Sequence, residues 1–363
     1  MTRPQVRADL ALMPGYHSAQ VDVEVRLNTN EAPEPPPEEF QQQLNACMRD
    51  IAWNRYPDRM ATVLRSAIAQ IEQVHNAELT ASNVFAANGS NEVLQTILLA
   101  YGGFGRKAMT FEPTYALHSH IAKLVGTEVI SLARGADMLI DTDVAIAEIA
   151  QHRPSVVLVC SPNNPTGMVE PADTILSLVE ACETYSALLV VDEAYGQFAP
   201  SSFLTRVSED APMVVNRTYS KTWSLAAARL GYCVGPTWLV EELYNVCLPY
   251  HVDAFKQLGG VVALDFVDEM RDRIAGMVDQ REVVAERLAA MDVEAWPSGA
   301  NFILFRPNAL DATDVWQRLV DLSILVRNCA SWPGLENCLR VTIGTPVENQ
   351  RFCDALEKIV GPQ

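Results

Sequence analysis

Apolar and polar residues alternate along the middle of the chain in blocks of two lengths. Short apolar runs, of the length of buried strands, cover residues 84–87, 108–111, 156–160, 188–191, 213–215 and 231–234. The longer blocks between them, such as residues 92–101 and 171–185, repeat apolar residues at the spacing of an amphipathic helix. Strands that alternate with helices predict a mostly parallel central sheet flanked by helices on both faces, which is an α/β fold.

The pattern changes after Pro249. A helical period extends over roughly residues 254–291, and the remainder predicts strands at 301–305, 325–327 and 339–343 with helices at 313–322 and 347–359. Near the start, residues 31–38 hold four prolines and three glutamates, which favours an extended arm. We therefore expect an arm over residues 1–40 that packs on a small α+β domain at 254–363, and a large domain at 41–253.

Composition narrows the range of partners. The chain has 363 residues and a formal net charge of −18, which disfavours binding to nucleic acid. Its eight cysteines form no Cys-x-x-Cys pair, and no apolar stretch reaches the roughly 18 residues that span a membrane. These features indicate a cytoplasmic protein with reduced thiols. His118 and His120 lie two residues apart on a predicted helix and face different directions, so no metal site is expected.

Lys221 is the first candidate for chemistry. It comes shortly after the apolar run at 213–215, and it is flanked by the hydroxyl residues Ser220 and Thr222. Because ligands of a parallel sheet bind at the carboxyl ends of the strands, a lysine in this position can face a cleft. A surface lysine is the ordinary alternative, and Lys221 by itself does not decide between the two.

Two further strand ends carry polar residues. Asp192 follows the apolar run at 188–191, and Tyr195 comes three residues later. A carboxylate in this position is a metal ligand, a general base, a partner for a ligand cation or a structural cap. Residues 161–167, with two prolines and a glycine, form a rigid turn after the run at 156–160, and Asn164 projects from it.

A fourth strand end offers a seat for a phosphate. Gly89, Ser90 and Asn91 connect the run at 84–87 to a predicted helix. The first N–H groups of a helix have no partner within the helix and lie at the positive end of its dipole, so they favour an anion. The alternative is a simple capping box in which Ser90 or Asn91 caps the helix.

Taken together, these groups predict a site for pyridoxal phosphate (PLP). Its phosphate would lie on the Gly89–Asn91 turn, with Arg229 returning to the phosphate as a bidentate clamp. Asp192 would pair with the pyridine nitrogen, and Tyr195 and Asn164 would bind the ring hydroxyl. Lys221 would hold the cofactor as a Schiff base and then act as the acid and base of the proton shift.

Ordered motifs along nearly the whole chain resemble the fold-type I PLP enzymes of the aspartate aminotransferase superfamily. Within that superfamily, the chain most resembles the histidinol-phosphate aminotransferases. The resemblance implies a large domain with a mostly parallel sheet, a smaller α+β domain, and transfer of an amino group. The motifs that carry it are Leu-Asn-Thr-Asn-Glu (27–31), Arg-Tyr-Pro-Asp (55–58), Asn-Gly-Ser-Asn-Glu (88–92), Glu-Pro-Thr-Tyr (112–115), Pro-Asn-Asn-Pro-Thr-Gly (162–167), Val-Asp-Glu-Ala-Tyr (191–195), Arg-Thr-Tyr-Ser-Lys (217–221), Arg-Leu-Gly-Tyr (229–232) and Leu-Arg-Val-Thr-Ile-Gly-Thr (339–345).

The resemblance also assigns further residues to the site. It implies that Tyr115 stacks on the cofactor ring, and that Tyr56 reaches the phosphate in a neighbouring subunit, so that a homodimer shares its two sites. It places Thr218 and Ser220 near the phosphate of the cofactor, and Arg340 and Arg327 at the anionic end of the substrate. It places Tyr16 and Asn30 on the arm that closes the site.

The predicted reaction is ping-pong transfer of an amino group between L-histidinol phosphate and 2-oxoglutarate, in histidine biosynthesis. One pocket must then accept a phosphate and a carboxylate in turn, and arginine binds either anion. The alternatives are an aromatic amino-acid aminotransferase, a relative of threonine-phosphate decarboxylase, and a PLP-binding regulatory module without turnover. The sequence differs from the usual family pattern at Asn91, Tyr219 and Trp223, and these differences bear on the substrate rather than on the cofactor.

Overall fold

The computed structural model describes residues 3–11, 13, 15 and 20–361. Its larger sheet has seven strands in the order β2-β8-β7-β6-β5-β3-β4, and β8 runs antiparallel to both of its neighbours while the other pairs are parallel. The strands are β2 (Val84–Ala87), β3 (Lys107–Glu112), β4 (Glu128–Ala133), β5 (Val156–Cys160), β6 (Leu188–Asp192), β7 (Met213–Thr218) and β8 (Gly231–Val234). The predicted α/β architecture with a mostly parallel sheet is confirmed.

Helices cover both faces of this sheet because its strands are apolar on both sides. Along β5, Val157 and Val159 belong to one buried cluster, while Val156 and Leu158 belong to another on the opposite face. The helices of this part of the chain are α1 (Glu38–Met48), α2 (Thr62–Glu72), α3 (Ser90–Tyr101), α4 (Leu117–Leu124), α5 (Thr142–His152), α6 (Ala172–Tyr185), α7 (Thr237–Val246) and α8 (Ala254–Leu264). Helices α2, α5, α6 and α8 pack on the first cluster, and α3, α4 and α7 pack on the second.

A second sheet has five strands in the order β1-β11-β12-β10-β9. Its strands and the helices that cover it are β1 (Val25–Leu27), β9 (Val293–Ala295), β10 (Phe302–Pro307), β11 (Ile324–Asn328), β12 (Leu339–Thr342), α9 (Val267–Ala289), α10 (Ala312–Asp321) and α11 (Pro346–Val360). β1 pairs with β11 in parallel, and the other pairs are antiparallel. The segment that precedes the proline-rich arm therefore adds the edge strand of this sheet.

Three local expectations differ from the structure. The helix predicted over 254–291 is two helices, because the chain leaves α8 at Asp265 and Phe266 before α9 begins. β4 carries polar residues among its apolar ones and was not expected as a strand. The capping box with Ser90 or Asn91, which the sequence allows as the alternative to a phosphate seat, does not form, because the N-cap is Gly89 and no side chain bonds to the first N–H groups of α3.

None of the helices within the described residues combines the length and the apolar character that crossing a membrane requires.

Candidate active site

A cavity of about 380 Å³ lies where the carboxyl ends of the central strands face the second sheet. Parallel strands place the residues that follow them at one edge of the sheet, and in such folds ligands bind at that edge. Its walls come from the segments after β1, β3, β5, β6 and β7, from the start of α3, and from β11 and β12. The predicted residues that line it are Asn30, Ser90, Asn91, Tyr115, Asn164, Asp192, Tyr195, Thr218, Ser220, Lys221, Arg229, Arg327 and Arg340.

One end of the cavity is built for an anion. Gly89 has φ +81° and ψ 166°, a backbone conformation that side chains strongly disfavour, and it leaves the first N–H groups of α3 without a side-chain cap. A Cβ at Gly89 would lie 2.7 Å from Nη2 of Arg229, so the guanidinium sits directly against this turn. A Cβ at Gly231 would lie 2.3 Å from the backbone nitrogen of Ser90. Both glycines therefore let the helix start approach the neighbouring chain closely.

Hydroxyl groups complete this anion seat. Thr218 Oγ1 donates to Ser220 Oγ at 3.0 Å, and Arg229 Nη1 lies 3.4 Å from the same Ser220 oxygen. Arg229 adopts a left-handed conformation at φ +51°, which turns its side chain back toward the seat. Tyr115 donates its hydroxyl to Asn91 Oδ1 at 3.0 Å, on the adjoining wall.

Asp192 is the buried carboxylate of the cavity. Its Oδ1 accepts from Asn216 Nδ2 and from the backbone N–H of Ala194, both at 3.1 Å, and its Oδ2 lies 3.0 Å from Nε2 of His118. A carboxylate has about four lone-pair positions, so three partners leave one for a ligand. This arrangement suits a cation that enters from the cavity.

Lys221 lies on the loop after β7, where its ammonium donates to the backbone carbonyl of Thr29 at 3.1 Å. Burial and the charge of Arg340 lower the pKa of Lys221 to about 8, and Arg229 acts in the same direction. Glu31 opposes this shift. A larger fraction of this amine is therefore neutral at physiological pH than for an ordinary lysine, and the neutral form is the one that acts as a nucleophile or a general base.

The segment after β1 closes the cavity over Tyr195. Asn30 donates its side-chain amide to the hydroxyl of Tyr195 at 2.9 Å, and Thr342 holds Asn30 through both its backbone N–H and its side-chain oxygen. Asn30 is left-handed at φ +55°, which asparagine tolerates better than most residues. Burial raises the pKa of Tyr195, so its hydroxyl stays protonated and can donate.

Two arginines face the other end of the cavity. Arg327 on β11 and Arg340 on β12 are directly opposite each other in the antiparallel register, so their side chains leave the sheet on the same face. Arg340 donates to the side-chain oxygen of Asn164 and to the carbonyl of Asn28, and its guanidinium lies 5.0 Å from the ring of Phe302. The guanidinium of Arg327 lies 5.6 Å from the ring centroid of Trp332.

The structure separates a few of the expected residues from this cavity. Tyr56 is 80% exposed and lines a different depression with residues of α2 and α8. Tyr16 lies outside the described residues. Trp223 does not line the cavity, because its ring is buried in the core and stacks on Tyr219 at 5.6 Å.

Three residues of the site were not anticipated. The sequence pattern draws attention to His118 only as a metal ligand, and it excludes that role. In the structure, His118 is fully buried and its ring contacts Asp192. Asn216 pairs in register with Asp192 across β6 and β7, so the rule about strand ends could have identified it. Trp332 lies on the connection from β11 to β12, and no periodic signal in the sequence marks that connection.

These groups fit the cofactor that the sequence predicts. PLP has a phosphate, a pyridine nitrogen that can carry a proton, and an aldehyde that reacts with a lysine. The cavity offers an uncapped helix start with an arginine, a buried carboxylate with one free lone-pair position, and an amine with a lowered pKa. A phosphate on the uncapped start of α3 would lie beside the Arg229 guanidinium, which is packed against the Gly89 turn.

Comparison with known proteins identifies relatives over nearly the full chain. The family model described as aminotransferase class I and II matches residues 23–356. The histidinol-phosphate aminotransferase of Corynebacterium efficiens is 40% identical over 361 residues, which cover 98% of this chain and 95% of that protein. The histidinol-phosphate aminotransferase of Thermobifida fusca is also 40% identical over 361 residues, with the same coverage of both chains.

A solved structure shows the same fold. The histidinol-phosphate aminotransferase of Sinorhizobium meliloti, crystallised in complex with pyridoxal-5'-phosphate, superposes with a TM-score of 0.83. The match covers 93% of this chain and 90% of that one, at 21% sequence identity. At this identity, the likeness establishes the fold alone.

Proposed function

The chain belongs to the class I and II aminotransferases, and we propose that its amino donor is L-histidinol phosphate and its acceptor is 2-oxoglutarate. It is a PLP-dependent transaminase. Its 40% identical relatives are histidinol-phosphate aminotransferases along the whole chain, which supports a role in histidine biosynthesis.

The paired arginines are the observation that carries the substrate assignment. Arg327 and Arg340 stand opposite each other across β11 and β12 and line the cavity that holds Lys221. Guanidinium groups bind both phosphate and carboxylate through parallel N–H donors. One pair can therefore bind the phosphate of the donor and, in the second half of the reaction, a carboxylate of the acceptor.

The residues of the site divide the work of transamination. PLP, when bound, supplies an electron sink for the pair of electrons that the Cα–H bond releases. Asp192 would hold the pyridine nitrogen in its protonated form, and His118 and Asn216 fix the carboxylate in place. Lys221 Nζ would take the proton from Cα of the donor, because its lowered pKa makes the neutral amine more accessible than in an ordinary lysine.

Other groups orient the cofactor and the substrate. Tyr195 keeps its hydroxyl proton because burial raises its pKa, so it can donate to the ring oxygen of the cofactor. The segment Asn28–Glu31 covers the cleft and reaches both Tyr195 and Lys221. This cover keeps water away from the amine during the proton transfer.

A half-reaction tests the donor. The PLP-loaded enzyme is mixed with L-histidinol phosphate, and the absorbance of the lysine-bound cofactor is followed as it converts to the amine form. We expect complete conversion with histidinol phosphate and slow conversion with phenylalanine. Rapid conversion with phenylalanine and none with millimolar histidinol phosphate would identify an aromatic aminotransferase. Release of CO₂ from threonine phosphate would identify a decarboxylase.

We also propose that the protein is a homodimer with shared active sites. Tyr56 is 80% exposed and stacks on Tyr250 at 4.5 Å, while Trp53 is 70% exposed and packs on Phe255. Aromatic rings at such exposure are enriched where one protein covers another. Tyr56 does not line the cavity of its own chain, which supports a role in a neighbouring one.

Mixed dimers test this sharing. A Lys221→Ala chain and a Tyr56→Phe chain are each impaired, the first in covalent attachment and the second in affinity for PLP. If sites are shared, the hybrid contains one site with Lys221 and the native tyrosine of the other chain, so one site regains native PLP affinity. If Tyr56 serves its own site, the hybrid gains nothing over the Tyr56→Phe protein.

The domain division and the compartment are proposals as well. The two sheets have separate cores, which supports a large and a small domain. The sequence places the boundary between residues 253 and 254, but α8 (Ala254–Leu264) packs on the core of the larger sheet, so we place the start of the small domain after α8. The arm at 1–40 joins the small domain through β1, which pairs with β11. A cytoplasmic location is supported by eight free cysteines, which would not stay reduced in an oxidising compartment.

A further inference from the structure

Trp332 separates two cavities. It lies on the connection from β11 to β12, which joins the strand of Arg327 to the strand of Arg340. On one side it lines the catalytic cavity, and on the other side it lines an outer cavity of about 710 Å³. Within the described residues, Ala116 is the other residue that borders both spaces. Trp332 and Ala116 therefore lie in the wall between the two cavities.

The connection that carries Trp332 is firmly held. Cys329 donates its backbone N–H to Cys338 at 3.0 Å, Trp332 donates to Cys329 at 2.9 Å, and Leu335 donates to Trp332 at 3.1 Å. The side chains of Cys329, Leu335 and Cys338 are fully buried with Leu304, and Trp332 packs against this cluster. An anchored ring of this size acts as a fixed wall rather than a mobile one.

The same ring supports one of the substrate arginines. The guanidinium of Arg327 lies 5.6 Å from the centroid of Trp332, within the range of a cation–π contact. Because Arg327 faces Arg340 across the strand pair, the ring also helps to fix the distance between the two charges. A compact anion that fits between them gains from this fixed geometry.

The outer cavity would suit a bulky apolar group if the wall were removed. Pro113, Leu132, Met138 and Pro333 supply apolar surface there. Glu112, Lys123 and Arg134 also line it, so charged groups of both signs border this apolar surface. A phenyl or indole group fits the apolar part of this lining.

We propose that Trp332 is a specificity-determining residue, which favours donors whose anionic group binds at Arg327 and Arg340 and whose ring is no larger than the imidazole of histidinol phosphate. The ring excludes donors with a bulky aromatic group from the outer cavity and holds Arg327 for the anion. This inference rests on the proposed aminotransferase function and names the property that selects its donors. The selectivity that Trp332 imposes should affect the binding of unreactive substrate analogues as well as turnover.

Binding of unreactive analogues tests the proposal without catalysis. The PLP-loaded enzyme is titrated in a calorimeter with glutarate, a compact dicarboxylate, and with 3-phenylpropionate, an aromatic carboxylate. In Trp332→Ala, we expect the ratio of the two dissociation constants to shift by about tenfold or more toward 3-phenylpropionate, since filling or vacating a pocket changes specificity by this order. Trp332→Phe should lie between the native protein and Trp332→Ala.

Trp296→Ala is the matched control. Trp296 packs on the same buried cluster and lies 5.0 Å from the guanidinium of Arg306, but it lines neither cavity. Replacement of Trp296 should lower the melting temperature without changing the ratio of the dissociation constants of glutarate and 3-phenylpropionate. The proposal is overturned if the ratio in both Trp332 variants stays within twofold of the native value, or if Trp296→Ala shifts it equally.

Kinetics separate this inference from the assignment of the donor. The half-reaction is repeated with histidinol phosphate and phenylalanine, and kcat/KM for phenylalanine relative to histidinol phosphate should rise in Trp332→Ala. A native enzyme that converts neither donor would contradict the proposed donor, while the analogue titration would still decide the role of Trp332. If Trp332→Ala does not fold, Trp332→Phe carries the test, since it removes part of the ring and keeps an aromatic packing surface.

Discussion

His118 Nε2 lies 3.0 Å from Asp192 Oδ2, and both side chains are buried. The imidazole comes from α4 and the carboxylate from the end of β6, so two elements that are distant in sequence meet at this contact. With the carboxylate ionised, the ring donates its Nε2 proton and holds the oxygen in a fixed position. The orientation of Asp192 toward the cofactor therefore depends on a residue that does not line the catalytic cavity.

Replacing His118 with phenylalanine should weaken the binding of PLP. The change removes one of three hydrogen bonds to a buried carboxylate, and hydrogen bonds to charged groups contribute roughly 1.5–3 kcal/mol. We expect the dissociation constant of PLP to rise by about tenfold to a hundredfold, measured by equilibrium dialysis. His120→Phe on the same helix is the control, and an equal loss in both variants would argue against a specific role of His118.

Replacing Lys221 with alanine should abolish the absorbance of the lysine-bound cofactor. The anion seat at Ser90 and Arg229 and the carboxylate of Asp192 remain, so some PLP should still bind without a covalent bond. Absorbance and reduction with borohydride followed by peptide mapping measure this. Lys123→Ala, on the surface of α4, should leave the spectrum unchanged. A Lys221→Ala protein with the native spectrum would mean that another lysine carries the cofactor.

Capture of PLP by the cofactor-free enzyme should depend on pH with a midpoint near 8. The nucleophile is the neutral amine, so the rate rises with pH while Lys221 loses its proton and levels off above its pKa. Arg340→Gln removes a charge that lowers this pKa, so the midpoint should move up, and Glu31→Gln should move it down. Stopped-flow absorbance measures the rates. A rate that still climbs steadily to pH 10 would indicate an ordinary lysine.

The buried ion pairs of Arg217 should be essential for stability. Its Nη1 contacts both carboxylate oxygens of Glu72 at 2.9 Å, and its Nη2 contacts Glu193 at 2.9 Å and Ser202 at 2.8 Å. Arg217→Met removes the guanidinium that neutralises two buried carboxylates, which costs roughly 3–5 kcal/mol of unfolding free energy.

Unfolding in urea, followed by circular dichroism, measures this loss. The control is Arg287→Ala, whose bridges to Asp354 and Glu357 are largely exposed and should contribute about 0–1 kcal/mol. Equal losses in the two variants would contradict the importance of the buried network.

Much of the cofactor site could be predicted because its residues follow strands. Lys221, Asp192, Asn164 and the turn at Gly89 each come after an apolar run, and the carboxyl ends of parallel strands meet at one edge of a sheet. A prediction of strand positions was therefore enough to bring these residues together. The assignment of Arg327 and Arg340 came from resemblance to a family, and the register of β11 and β12 now gives it a geometric basis.

Contacts between distant segments could not be predicted in the same way. His118 reaches Asp192 across 74 positions of the chain, and Asn30 reaches Tyr195 across 165. No local pattern records such pairs, because each depends on how helices and arms pack after the strands have formed. The break between α8 and α9 is also a tertiary result, since both helices share one continuous helical period in the sequence.

The sequence by itself determined the fold class, most of the strands but not β1, β4 or β9, and the lysine, aspartate and phosphate turn of the cofactor site. Those properties follow from local periodicity and from the rule that parallel strands end at one edge. Only the tertiary structure decided that Trp223 lies in the core and that Trp332 stands between two cavities. Which way a side chain faces depends on the packing around it, and that packing is a property of the whole chain.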